Sequence, residues 1–221
     1  MTADFFWAPR RRPTRGPKPA LTLDQITEAA TAIADSEGLA AVSMQRVAAD
    51  LGYTKMSLYR YLPGKEELVA AMRERAIGQP PEIGDDWRQA LTDWASAMLR
   101  AYAAHIWALE ASVGRRLIGP NEIAWLEAAL AVLPPGLTGA ERLDAVATIA
   151  GHVRMIAGQI GGTEGDLAAA MGMALREHAE RFPAVVAALT EVATQGGADD
   201  AFGFGLGRIL DGLEVLVRQR V

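Results

Sequence analysis

Residues 21–72 read LTLDQITEAATAIADSEGLAAVSMQRVAADLGYTKMSLYRYLPGKEELVAAM, and the changes of rhythm inside them decide the fold. From Thr22, apolar residues recur at Ile26, Ala29, Ala30, Ile33 and Ala34, the spacing of one helical face, until Gly38 offers a stop. Ser43 can cap a second short helix with Val47, Ala48 and Leu51 on its inner face, and Gly52 interrupts it. Thr54 can cap a third helix that runs to about Leu62, where Pro63-Gly64 ends it. A fourth starts at Lys65 and buries Leu68, Met72 and Ile77, with Glu66 and Glu67 in a first turn where the helix dipole favours anions. Helices over 22–37, 44–50 and 54–62 with a short turn at Gly52 spell a helix-turn-helix. The missing Cβ in the turn permits an unusual φ. The third helix keeps a polar outer face that fits a major groove.

Outward from this block the chain stays helical. Gln79-Pro80-Pro81 marks a domain boundary, and helices are expected near 85–105, 106–115, 121–133, 139–160, 166–182, 184–195 and 199–220. Pro134-Pro135-Gly136 and Gly161-Gly162 are the clearest breaks, no run alternates as a strand, and no internal repeat is present. The expected fold class is all-α: a basic flexible arm over 1–20, a helix-turn-helix unit over 21–79 and a larger helical unit over 80–221. A chain of 221 residues, half of them hydrophobic, is long enough to bury a sizeable core. Glu127 in one apolar run, and His152 with Arg154 in another, interrupt any stretch that would span a bilayer. The start, MTADFFWAPRRRP, lacks the organisation of a secretory signal. Without cysteine there is no disulfide framework, thiolate nucleophile or Cys-based zinc site. A cytoplasmic location is the default expectation.

The net charge of −5 hides an asymmetry. Residues 1–80 carry 11 Lys+Arg against 9 Asp+Glu, whereas the remainder carries 11 against 18. Arg10, Arg11, Arg12, Arg15 and Lys18 face only Asp4 in the arm. Three of the four tyrosines, Tyr53, Tyr59 and Tyr61, sit within residues 52–68, interleaved with Lys55, Arg60 and Lys65. That distribution suits a nucleic-acid-facing module on an acidic body. The excess of Arg over Lys (19 to 3) hints at a GC-rich bacterial genome.

Ala30, Gly38-Leu39, Ala48, Leu51-Gly52, Leu58-Tyr59 and Lys65-Glu66-Glu67-Leu68 resemble the N-terminal domain of TetR-type transcriptional repressors over residues 22 to about 72. DDWRQAL (85–91) and FGFGLGRILDGLEVLVRQR (202–220) resemble the C-terminal domain of the branch that holds the tetracycline repressors. The resemblance implies a dimeric, cofactor-free repressor that binds a palindromic DNA operator and is released by a hydrophobic small-molecule effector; on DNA it would sit with the nucleoid. Chemistry and resemblance together nominate Lys55, Met56 and Ser57 as base readers, Lys55 donating to guanine and Met56 lying against a thymine methyl. Gln45 matches a family position that reaches bases, and Ser43 is a further DNA-binding candidate. Thr54, Tyr59, Tyr61 and Lys65 read as phosphate clamps, although the family often has His at the position of Tyr61 and Phe at that of Leu62. Tyr59 suits a double role, with its ring against the first helix and its hydroxyl on a phosphate. Arg46 and Arg60 read equally as phosphate contacts or solvated surface. Tyr53 reads as packing under the turn or as touching DNA, and the arm as following the DNA backbone, entering the minor groove or remaining a plain tail.

In the larger unit the resemblance implies dimerisation through the last helices. The stripe Phe202, Leu206, Ile209, Leu210, Leu213 and Val217, with Val146, Ile149 and Val153 on the helix at 139–160, is the expected interface; burial inside one subunit is the alternative. The glycines of FGFGLG suit close approach of a partner helix and do not form a dinucleotide fingerprint, since no strand precedes them. Trp94, Met98, Tyr102, Trp107, Trp125, Met155, Met171 and Met173 are the expected apolar lining of an effector pocket, with His105, His152, Arg154 and Gln159 as polar members; side chains of these types are more often core or surface than ligand contacts. Tetracycline is not the expected ligand, because RERAIGQPP (73–81) and ASVGRRLIGP (111–120) lack the histidines of that subgroup. Two other readings stand beside the effector-responsive repressor: a DNA-binding regulator with a non-functional pocket, and a helical-bundle enzyme. The enzyme finds no support in HExxH, P-loop or Cys motifs, and Asp85-Asp86 and Asp199-Asp200 read as helix caps.

Overall fold

The computed structural model describes residues 4–7, 21–114, 116–160, 164–195 and 200–220. Its described residues form helices and no strands. A short helix α1, Asp4–Trp7, occupies part of the expected flexible arm, whose residues 8–20 lie outside the described ones. The break at Gly161-Gly162 and Asp199 also lie outside them.

Helix α2, Leu23–Glu37, starts in a reciprocal capping box: Gln25 N–H donates to Thr22 Oγ1 (3.2 Å) and Thr22 N–H to Gln25 Oε1 (2.9 Å). Helix α3, Met44–Asp50, begins where Ser43 Oγ accepts from Arg46 N–H at 3.1 Å. The turn that follows places Gly52 at φ +73°, a conformation that side-chain-bearing residues rarely adopt. Helix α4 covers only Lys55–Leu58, shorter than the expected 54–62. The residue before a proline is pushed out of the helical region, so Leu62 cannot extend the helix into Pro63. Tight turns carry Tyr59 to Tyr61 instead, and Leu58 and Leu62 are both fully buried. Thr54 stands at the cap position without bonding a backbone N–H; its hydroxyl lies 3.0 Å from that of Ser57. Helix α5, Lys65–Ile77, packs Leu68 and Met72 against α2 and leads into the larger unit.

There α6, Trp87–Ala104, starts at Asp86, whose carboxylate accepts from Arg88 and Gln89 N–H. Helix α7 covers only Trp107–Glu110 of the expected 106–115; turns follow it, and Ser112 Oγ donates to Ala108 O (2.7 Å). Helix α8 is Pro120–Val132, with Pro at its first position, and α9 is Gly139–Ile160. Helix α10, Glu164–His178, passes through a 3-10 turn to α11, Pro183–Gln195, and α12, Ala201–Arg218, ends the fold. α6 packs on α9 and α9 on α12, while α8 lies against α5, α6 and α9. Leu91, Trp94, Ile149 and Val153 form the centre of this core. Trp94 donates to Trp125 O at 2.9 Å, with the two rings edge to face at 5.7 Å. α10 and α11 make their closest contacts with the turn between them, and their described side chains are mostly exposed. Among the described residues no helix is long and apolar enough to cross a membrane.

Candidate DNA-reading face and interior cavity

The tip of α4 stands out from the body. Met56 is 71% exposed. Lys55, Arg60 and Lys65 are exposed and Ser57 is half-buried. The Lys55 ammonium lies 5.5 Å from the centre of the Tyr59 ring, so Tyr59 steadies the cation beside the exposed tip. Tyr61, half-buried, is packed against the core, while Tyr59 is exposed. Tyr53 is 37% exposed and so is not buried beneath the turn. On α3, Gln45 is exposed, but Arg46 is held by Glu37 through two bonds of 2.8 and 3.2 Å.

Behind this head, α6, α8, α9 and the C-terminal half of α5 surround a cavity of about 430 Å³. Trp94, Met98, Tyr102 and Trp125 supply flat or apolar wall, and Arg73, Arg116 and Glu122 form a charged corner. Arg73 is only 2% exposed; it donates to Leu117 O (3.0 Å) and to Glu122 Oε2 (2.5 Å), and Arg116 donates to Glu122 Oε1 (2.5 Å). Next to Arg73, the Glu74 carboxylate accepts the N–H groups of Asn121 (2.7 Å) and Glu122 (3.2 Å) at the start of α8. Burial raises the Glu74 pKa above the ordinary carboxylate value, against the pull of those two N–H groups and of Arg73. Asn121 Nδ2 also donates to Glu74 O (2.8 Å), and Trp125 Nε1 to Gly78 O (3.0 Å). Helix α5 is thus fastened to the first turns of α8, and the cavity opens beside the fastening.

Two family models divide the chain between these two parts. Residues 26–72 match the bacterial regulatory proteins of the tetR family, and residues 79–217 match the tetracyclin repressor-like C-terminal domain. The chain belongs to the TetR family. A curated relative, the HTH-type transcriptional repressor DrrR1 of Streptomyces coeruleorubidus, is 43% identical over 99% of this chain and 87% of its own length. Among solved structures, apo ActR of Streptomyces coelicolor superposes with a TM-score of 0.77 at 25% identity, covering 91% of this chain and 98% of that one. ActR in complex with actinorhodin gives 0.72 at 25% identity, covering 88% and 96%. This TetR-family chain is therefore a DNA-binding helix-turn-helix transcriptional repressor and not an enzyme.

For a TetR-family protein its pocket is only partly where aromatic residues pointed. Of the expected lining, Trp94, Met98, Tyr102 and Trp125 meet at the cavity. His105 and Trp107 do not: His105 Nδ1 lies 2.8 Å from Asp35 Oδ1, and Trp107 Nε1 donates to the same oxygen at 2.6 Å, joining α6 and α7 to α2. On α9 the cavity face carries Leu143, Ala147, Ala150 and Arg154. His152, Met155 and Gln159 fall on the far side at about 100° per residue. His152 instead stacks on Phe202 (5.9 Å, 9°) and lies 3.0 Å from Phe202 O. Met155, Gln159 and, on α10, Met171 are exposed.

The interface stripe also needs correction. Val146 lines the cavity, and Ile149, Val153, Leu206 and Leu210 are buried within the single chain. Phe202, Ile209 and Leu213 are half-buried against that same core, and Val217 is half-buried. Leu206 and Leu210, with Phe202, Ile209 and Leu213 beside them, thus face the core of their own subunit, while Phe204 (70% exposed) and Val215 stand on the outer face. The close approach at Gly205 is to the same chain, since a Cβ there would lie 2.3 Å from His152 Cε1. Of the expected polar members Arg154 alone lies at the cavity, whereas Arg73, Arg116 and Glu122 were missed; the stretches searched for histidine, RERAIGQPP and ASVGRRLIGP, carry Arg73 and Arg116 instead.

Proposed function

We propose that this repressor acts as a homodimer on a palindromic operator and lets go when a largely apolar aromatic molecule occupies the cavity. One observation carries the reading: α5 follows the reading helix directly and its C-terminal half is a wall of the cavity. A ligand that fits the cavity better in one position of α5 than in another must bias the head, because coupling is a difference in affinity between two states. Trp94, Tyr102 and Trp125 offer aromatic faces to such a ligand, and the relative ActR has been solved with actinorhodin.

At the head, Lys55, Met56 and Ser57, with Gln45, read base edges, while Thr54, Tyr59, Tyr61, Lys65 and Arg60 hold phosphates. Ser43 serves as the α3 cap and Arg46 as a partner of Glu37, so both contribute chiefly by fixing α3. Residues 21–79 form the reading unit and 80–221 the effector and dimer unit. The second copy covers the outer face of α12, with Phe204 and Val215, and the exposed apolar side chains of α10 and α11, among them Met173, Leu189 and Val192. An apolar surface of this extent on a lone subunit marks an association surface, and a two-fold dimer supplies the paired heads that a palindrome requires.

Selection of bound duplexes from random DNA by the purified protein, with its mass measured in solution, tests this. Enrichment of a palindrome whose half-site centres lie one helical turn or a multiple apart, by a dimer, supports it. A monomer, or no palindrome, refutes it.

A further inference from the structure

We propose that the effector carries an anionic oxygen, a carboxylate or ionised phenol on its aromatic body, which docks on Arg73 and Arg116 in exchange for Glu122. The inference rests on the reading of the cavity as the effector site. One carboxylate, Glu122, is shared between two guanidiniums, one oxygen to each. Arg116 lines the cavity, and its Nε is buried and, among the described residues, has no hydrogen-bond partner, which leaves this guanidinium with a donor to spare. A guanidinium presents its donors as a planar fork that matches a carboxylate, and such charge-assisted pairs are the strong ones. The charged lining is Arg73, Arg116 and Arg154 against Glu122 and Asp144, so cations exceed anions by one at the cavity.

Docking there has a consequence for the head. Glu122 lies in the first turn of α8, and its backbone N–H is one of the two that Glu74 of α5 accepts. Drawing Arg73 towards a ligand removes the Arg73–Glu122 tie between α5 and α8 and strains the bond to Leu117 O. The ligand's charge therefore acts one residue from the fastening of α5. An uncharged aromatic of the same shape fills the cavity and leaves this tie intact.

The test uses the full chain and a matched trio: an anthraquinone carboxylate, its neutral primary amide and the corresponding aminomethyl cation. Binding is read by quenching of tryptophan fluorescence, since Trp94 and Trp125 line the cavity. The carboxylate is expected to bind about tenfold or more tightly than the amide, the difference that one charge-assisted pair makes. Glu122→Gln, which removes the competitor, tightens the carboxylate several-fold more than it changes the amide. Arg116→Met brings the carboxylate and amide affinities to within about twofold of each other. Circular dichroism shows that each variant is folded, and Glu122→Gln alone decides the matter if Arg116→Met does not fold. Equal binding of carboxylate and amide, or preference for the cation, overturns the anionic assignment while the cavity reading stands. Absence of quenching by all three overturns both.

Discussion

Replacing Gly119 with Ala tests the fastening between α5 and α8 at one atom. A Cβ at position 119 would lie 2.3 Å from Glu74 Cδ and 2.6 Å from Oε1, and Gly119 itself has an extended φ of −103° that Ala adopts freely. The backbone tolerates the change, so the Glu74 carboxylate must leave. It gives up two hydrogen bonds to backbone N–H groups, each worth about 1.5–3 kcal/mol when the acceptor is charged. Relief of the burial that raises the Glu74 pKa, and rehydration of the freed N–H groups, return part of this. A net loss of about 2 kcal/mol remains, or about 4–8 °C in Tm for a chain of this size. Thermal unfolding of four proteins checks the cause: wild type, Gly119→Ala, Glu74→Ala and the double variant. With Glu74 already truncated, Gly119→Ala should cost nothing and gain a few tenths of a kcal/mol from the less flexible unfolded chain. An equal loss in both backgrounds would refute the collision with Glu74 as the cause.

Other consequences follow from the same geometry. Lys55→Ala should relax base preference at one operator position, whereas Tyr59→Phe should weaken all duplexes alike; competition binding separates a base reader from a phosphate clamp, each change being about 1–3 kcal/mol. Ala147→Trp, on the cavity face of α9, should block ligand quenching and keep operator affinity within twofold or so; loss of both means the cavity is not a separable ligand site. Two carboxylates should give stability opposite slopes with pH. Glu141, held down to about 2 chiefly by its hydrogen bonds from Arg220, contributes stability above its unfolded value of 4.5 that is lost as pH falls towards 2. Glu74, raised by burial, makes the folded state bind its proton more tightly, so its contribution is greatest below 4.5 and declines as pH rises through its folded pKa. Denaturant titrations of Glu141→Gln and Glu74→Gln should remove the acid loss and the higher-pH decline respectively.

The reading head was legible because its information is local. The face Ile26, Ala30, Ile33, Ala34 and the caps at Thr22 and Ser43 are fixed by neighbours within a turn or two. The end of α4 was misjudged by a few residues because Leu62 is buried like a helical residue but precedes proline. In the larger unit, periodicity marked which α12 residues are buried and could not say against what; Leu206 and Leu210 meet their own subunit. His105 and Trp107 carry the chemistry of a pocket, yet Asp35, some 70 residues away in the chain, claims both. Arg73 was hidden by its type, since a cation in a helix reads as solvated surface until the fold buries it.

The central claim is that the cavity and the DNA-reading head are coupled, and linkage makes it measurable in one titration. Affinity for the anthraquinone carboxylate is measured with free protein and with protein saturated by its selected operator. The account predicts weaker ligand binding to the DNA complex, by the same factor by which saturating ligand weakens the operator. Identical ligand affinity in the two states would contradict it.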